Sequence, residues 1–554
     1  MAAPRGLPPL MRKWIPISLL ASAQFVMTLD SSVMNVSISQ IVADLNTSIQ
    51  GVQSAITFYT LVMASFMLLG AKLGDIFGRN RVFAIGLGVY GLGSLTTSLS
   101  PSLAVLLIGW SGIEGIGAVM VIPAIAALTA ANYEGKDRAL AYALIGAITA
   151  IAVAAGPLIG GYVTTNASWR WVFAGETVVV IGLIALRGQI AQAPRAEHRP
   201  QLDYVGAALS AAGLGLVVFG ILMSSTWGLI TPRSALTIGG TEITPLGFSI
   251  VPYLILAGLA FLGGLVLWEE RRERLGQDRL IDVALLRIAR LRAGLTTLMG
   301  QQLVLMGTFF VIPVYLQVVL GFDAFETGKR LLPLSVAMLI AALAGPKVAG
   351  RRSPRTVAQA GLIAISAGAI VMMATLDVNL NDTGFKTALI LMGIGAGLLA
   401  SQLGNVIMSS VDPSQTSEAG GLQGTFLNLG ASLGTALIGA VLIVGLINGF
   451  NSRIADDPAV PQSVSQTIAS NTEEGIDIVP VAQAEQMALA KGVPQSQAEA
   501  IASDYGDAQL EALKKSLGAV AFIAILCLWF TRRLPTSAVA AEPAATAEPA
   551  EATA

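Results

Sequence analysis

The chain is short of the side chains that do most protein chemistry. One cysteine, Cys527, and one histidine, His198, occur in 554 residues. A single cysteine excludes an intrachain disulfide and a cysteine-based metal site. His198 stands between charged residues of a polar stretch and reads as solvated, so no histidine proton relay can be built. No GxxxxGK[ST] run is present, which removes a phosphate cradle for ATP hydrolysis. No Ser/His/Asp set or metal cluster has workable spacing, so an enzyme is not expected. Charged residues make up 12%, about half the share of a soluble protein.

Apolar residues fill the chain instead. They make up 54%, and the mean hydropathy is +0.71, the composition of a polytopic membrane protein. Runs able to cross about 30 Å of hydrocarbon fall near 15–36, 52–71, 82–99, 103–130, 139–163 and 169–187. Eight more follow near 204–224, 246–268, 293–320, 327–349, 356–376, 385–410, 418–449 and 516–531, fourteen in all. The first is too long for a cleaved signal, carries Asp30 inside it and lacks a following small-residue cleavage site. The formal net charge of −1 hides an asymmetry: with the N-terminus inside, 24 of the 33 lysines and arginines fall in cytoplasmic connections. That bias places both termini in the cytoplasm of a cell whose cytoplasmic membrane the chain spans.

Three connections stand apart. Residues 225–245 form an outer loop whose strand-like alternation, broken by Gly239 and Gly240, reads as a hairpin. Residues 269–292 read as a basic amphipathic segment on the inner leaflet. Residues 450–514 hold ten acidic against three basic residues with Ala/Gln-rich helical runs, and read as a solvated extracytoplasmic helical cap. The tail after Leu534 is low in complexity and expected to be disordered.

The helical pattern carries two signals beyond anchoring. In AVAAGPLIGG (152–161), Ala152, Gly156 and Gly160 recur every fourth residue around Pro157, a helix built to bend and to pack at backbone distance. A repeat is also visible: 70–82 and 345–357 share Lys two places, and Val twelve places, after a leading Gly, and Gly430 and Gly434 repeat the small spacing. Spans 1–6 and 9–14 thus read as two parallel six-helix halves with spans 7 and 8 between them. GLGVYG (86–91) fits a dinucleotide pattern but lies inside an apolar span without a preceding strand, so it reads as helix packing.

Three acids fall at membrane depth. At about 1.5 Å per residue, Asp30 sits roughly 22 Å from the inner face, Glu114 near the midplane and Glu176 roughly 12 Å below the outer surface. An ionisable group there costs about 2.5–3.5 kcal/mol and must be paired, protonated or facing water. Asp30 could hydrogen-bond near a helix end, and Glu176 could pair with Arg170; otherwise the three acids are candidate proton carriers and partners for a cationic substrate.

Four stretches resemble the fourteen-span drug:proton antiporter branch of the major facilitator superfamily: LDSSVMNVSIS (29–39), KLGDIFGRNR (72–81), GPLIGG (156–161) and SWRWVF (168–173). The resemblance implies an all-α membrane fold of two six-helix bundles plus two inserted linker helices. It implies a cytoplasmic gate at Gly74, Asp75, Gly78, Arg79 and Arg81, and an antiporter-type fifth helix at Gly156, Pro157, Gly160 and Gly161. The chain departs from the family pattern at Ser111 and Glu114, where Arg and Gln are usual, and at Glu176 and Val178, where Asn and Pro are usual. The boundaries follow: a cytoplasmic N-terminus 1–14, an N-terminal bundle 15–187, a linker 188–268, the segment 269–292, a C-terminal bundle 293–532 containing 450–514, and a tail 533–554.

The function so implied is secondary active export of hydrophobic or amphipathic, cationic small molecules in exchange for protons. A lipid or lipopeptide translocator and an uptake symporter are the alternatives. Phe25, Trp110, Tyr142, Gln302, Phe310, Tyr315, Gln402, Asn405 and Phe426 interrupt apolar helices and are candidates for a cavity between the halves. The expected partners of this monomer are the bilayer, substrate and protons; neither nucleic acid nor a cofactor is expected.

Overall fold

The computed structural model describes residues 9–133, 135–191, 201–232, 236–238, 241–349, 352–412, 415–473, 476 and 478–536. The expectations for the first eight residues, for His198 and for the tail beyond 536 lie outside the described residues.

The first half comprises α1 (Pro9–Val36), α2 (Ile38–Leu45), α3 (Ile49–Phe77), α4 (Arg79–Ser98) and α5 (Leu103–Leu106). The last passes through a π-helical stretch, Leu107–Glu114, into α6 (Gly115–Asn132), followed by α7 (Gly135–Asn166) and α8 (Arg170–Leu186). Next come α9 (Tyr204–Trp227) and α10 (Val251–Arg274). The second half comprises α11 (Ala289–Val314), prolonged by a π turn over Tyr315–Val319, then α12 (Ala324–Ala349), α13 (Pro354–Thr375), α14 (Asp382–Met408) and α15 (Thr416–Asp456). It ends with α16 (Gln462–Glu473), α17 (Val481–Ala490) and α18 (Gln495–Phe530).

Among the described residues 12 helices are long and apolar enough to cross a membrane, or 13 if the bent α7 counts as one. The count of fourteen from sequence also includes α4, whose glycines, serines and threonines dilute its hydropathy below that mark while it packs between α6 and α8. The expected hairpin is present: Thr237–Ile238 pairs antiparallel with Thr241–Glu242.

The segment 269–292 folds back on itself. α10 continues to Arg274, Gly276 at φ +64° turns the chain, and Leu280, Ile281 and Leu285 bury themselves in the core. Two of its arginines pair with neighbouring acids, Arg287 with Glu270 at 2.7 Å and Arg279 with Glu273 at 3.0 Å. The chain between α10 and α11 is thus a folded-back connection with one short helical turn, Val283–Arg287.

Backbone-distance packing organises both halves. A Cβ on Gly160 would lie 2.7 Å from Val33 Cγ2 and one on Gly156 would run into Ser32, so α7 presses on α1. In the second half a Cβ on Gly430 would lie 2.9 Å from Met299 Cα and one on Gly434 2.8 Å from Leu303 Cα, so α15 presses on α11 in the same way. α7 bends by 41° between Leu144–Val153 and Ala155–Asn166; the Pro157 ring crowds the carbonyl four residues back, at Val153. The halves meet along α3 with α15 and α7 with α12, and α9 leans on α3 and α15.

α16, α17 and the far ends of α15 and α18 build a helical cap at one end of the molecule. Phe450 meets Tyr505 edge-on at 5.3 Å, and Arg453 pairs with Glu511 at 3.1 Å. Side-chain hydrogen bonds joining the halves gather towards this cap end. Gln317 Nε2 donates to Val36 O at 2.9 Å, Gln50 Nε2 to Ile476 O at 2.7 Å and Gln53 Nε2 to Thr435 O at 2.8 Å, while Thr165 Oγ1 accepts from Phe325 N at 3.1 Å.

Candidate functional site

Asp30 on α1, Glu114 at the end of the π stretch and Glu176 on α8 are all buried, and one carboxylate oxygen of each lies within 4.8 Å of the others. The Trp110 Nε1–H donates to both oxygens of Asp30, at 2.8 and 3.0 Å, while its ring stacks on Tyr59 with centroids 4.6 Å apart. Tyr90 OH and Ser94 Oγ each donate to Glu176 Oε2 at 3.3 Å. Both oxygens of Glu114 and Oε1 of Glu176 are buried without a hydrogen-bond partner. None of the ion pairs among the described residues involves these three acids. Three like charges so close, out of water, are tolerated only when neutralised by protons or by a bound cation.

Local backbone chemistry sets this geometry. π-helical turns concentrate at functional positions because they shift side chains out of α register, and this one delivers Trp110 and Glu114. Gly93 lets α4 approach it: a Cβ there would lie 2.5 Å from the Glu114 backbone nitrogen. Ser111 donates to Ala55 O at 2.8 Å and ties the stretch to α3.

The pairing of Glu176 with Arg170 is overturned. Arg170 reaches Asp44 at 2.9 Å and Ser100 O at 3.0 Å, and Trp169 Nε1 donates to Asp44 at 3.0 Å. The start of α8 is thus clamped to α2, while Glu176 turns inward a turn and a half later. Asp30 is not held by a helix end either, since its partner is Trp110. Sequence reasoning missed Tyr59, Tyr90, Ser94 and Asp44. Tyr90 lies within GLGVYG, and a phenol inside an apolar span was the available signal.

In the gate stretch, Asp75 and Arg79 form an ion pair at 3.1 Å across one turn, half-buried. Gly78 takes φ +92° between α3 and α4, its N–H donating to Gly74 O at 3.1 Å, and Arg81 is exposed. In the fifth-helix stretch Gly161 and Pro157 face α12: a Cβ on Gly161 would lie 2.9 Å from Phe325 Cα, and Gly328 abuts Pro157 O. Two glycines of GLGVYG pack as expected, Gly86 on Met120 and Val121 and Gly91 on Val180, while Gly88 is exposed and a Cβ there would meet nothing within 4 Å.

The nine cavity candidates are scattered. Phe25 lines a cavity of about 690 Å³ between α1, α7 and α8. Trp110, Phe310 and Tyr315 are core side chains, and Tyr315 OH donates to Asp377 O at 2.7 Å. Gln402 Nε2 donates to Gly345 O at 3.3 Å; Gln302 and Phe426 are half-buried and Asn405 is exposed. The side chain of Tyr142 lies outside the described residues.

The sequence profile of the Major Facilitator Superfamily matches residues 20–230 and 203–435. This chain belongs to that superfamily. The protein is thus a multi-pass membrane protein of a transporter family. It is 28% identical over 480 residues to the probable actinorhodin transporter of Streptomyces coelicolor, covering 85% of this chain and 79% of that one. It is 28% identical to the puromycin resistance protein pur8 of Streptomyces alboniger, covering 78% and 82%. It is 26% identical to the multidrug resistance protein Stp of Mycobacterium tuberculosis, covering 80% and 78%. A bacterial homologue of the human lysosomal transporter Spinster, solved inward-facing and unoccupied, superposes with a TM-score of 0.61 at 14% identity over 96% of this chain and 98% of that one, which shows the fold.

Proposed function

We propose that this protein exports hydrophobic or amphipathic, cationic small molecules across a bacterial cytoplasmic membrane in exchange for protons, by alternating access. The observation that carries the reading is the buried set Asp30, Glu114 and Glu176, held together without a neutralising side chain. Protons and a cationic substrate are the two ways to neutralise such a set, and each excludes the other. Proton arrival weakens cation binding, and cation arrival expels protons. Relatives named for antibiotic transport and multidrug resistance support export as the direction. The reading counts fourteen spans, with α4 among them and α9 and α10 as inserted linkers, in a monomer with both termini cytoplasmic. No cofactor or nucleic acid takes part, the proton gradient being the energy source. A membrane potential of 100 mV contributes about 2.3 kcal/mol per net charge moved, roughly a fiftyfold gradient.

The test is proton release from the purified protein in proteoliposomes on adding lipophilic cations, compared with Glu114→Gln. Release that disappears in the variant is the expected result. No release with any cation would sink the cationic reading and favour neutral or anionic metabolites or lipids.

A further inference from the structure

The cavity between α1, α7 and α8 lies wholly within the first half. Its volume of about 690 Å³ is that of a small-molecule site. One wall follows α1 from Ile17 to Leu29, about 18 Å along the helix axis. The α7 wall straddles the bend, with Ile148 on one side of it and Ile159 on the other. Trp171 is 66% exposed and Val179 43% exposed on the α8 wall. The cavity therefore opens sideways, on the flank where lipid chains stand, and not into the seam between the halves.

Glu176 is the one charged residue among those lining this cavity. It is buried, its Oε2 is held by Tyr90 and Ser94, and its Oε1 has no partner. Beside it, Gly175 leaves space open: a Cβ there would meet nothing within 4 Å. An apolar channel wall with one carboxylate and no basic residue is complementary to an apolar body bearing one positive charge. The Trp171 ring adds a cation-attracting face along the way.

We propose that an amphipathic monocation reaches its binding site from within the bilayer through this flank. Its apolar body lies in the α1/α7/α8 groove and its charged head rests against Glu176. The proposal rests on the proton-coupled export reading and adds the route and the contact residue. Glu176 then belongs to two sites at once, the lateral groove and the buried proton-binding set, so arrival of the cation is felt directly by Asp30 and Glu114.

The experiment uses the full chain in proteoliposomes with an aryl-azide derivative of tetraphenylphosphonium. Illumination should label peptides of α1, α7 and α8, and unlabelled tetraphenylphosphonium should compete. Gly175→Trp, which fills open space without a clash at Cβ, should lower both labelling and cation-driven proton release at least about tenfold. Ser22→Trp, an exposed position on the opposite wall, should do the same. Labelling confined to the seam helices α3 and α15, or unchanged by both plugs, overturns the proposal. So does labelling displaced by added phospholipid but not by tetraphenylphosphonium, which would mean that an acyl chain fills the groove. Groove labelling in an unmodified protein that releases no protons would support the groove and overturn the coupling.

Discussion

Each half hangs a long helix on its own first helix by two glycines four residues apart, and from there the two helices part company. In α7 a proline follows the first glycine and the helix bends by 41°. In α15 no proline follows, and the helix continues unbroken for 41 residues out into the cap. The difference extends to chemistry. The first half buries Asp30, Glu114 and Glu176, whereas among the described residues α11 to α18 bury no charged side chain and only uncharged polar ones such as Gln301, Thr308 and Ser366. One packing solution is used twice, once for a hinged, charge-bearing bundle and once for a neutral one. In the alternating-access cycle proposed above, a bundle free of buried charge can rock without moving a charge between environments, which suits it to be the moving partner.

The largest contrast should come from neutralising acids. Glu114→Gln or Glu176→Gln should cut cation-driven proton release at least about tenfold, while Gln301→Met in the second half should change it less than about twofold. Equal losses in both halves would erase the distinction.

The paired glycines offer a subtler comparison through thermal unfolding in detergent. Gly160→Leu and Gly434→Leu should each destabilise by about 1–3 kcal/mol through overpacking. The second should lose more, because its neighbour is Leu303 backbone where Gly160 meets a Val33 methyl. A smaller loss at Gly434 would show that α15 is the looser helix.

Trp110→Phe keeps the stack on Tyr59 but removes the donor to Asp30, and should destabilise by about 1–3 kcal/mol. In an Asp30→Asn background the loss should shrink, a coupling that a double-mutant cycle measures directly. The smallest effects belong to the gate stretch. Gly78→Ala should lose about 1 kcal/mol because of its positive φ, and Arg79→Ala about 0.5 kcal/mol or less, since the ion pair with Asp75 is partly solvated.

The helices and the glycine ladders were legible because period and residue size suffice to define them. The three acids were legible individually, since a carboxylate in an apolar run is conspicuous. Their convergence was not: it depends on the π stretch before Glu114 and on Gly93 admitting α4, neither of which leaves a periodic trace. Arg170 misled because sequence proximity to Glu176 said nothing of Asp44, 126 residues earlier and on the same rim. The folding back of 269–292 was not legible, because ion pairs such as Arg287 with Glu270 within one segment are something charge counting cannot register.

The cap has one more consequence. α18 runs from the bundle into the cap as a single helix of 36 residues, about 54 Å long, so the cap is rigidly geared to the second half while a hydrogen bond from Gln50 fastens it across to the first. A small rotation of one half against the other is magnified at its tip, where a tilt of about 10° over about 30 Å of protruding helix sweeps roughly 5 Å. In the alternating-access cycle proposed above, the cap would act as a pointer needle. Because the lone native thiol, Cys527, is buried, a dye pair on the exposed positions Met487 and Leu99, after Met487→Cys and Leu99→Cys, would read that needle one molecule at a time.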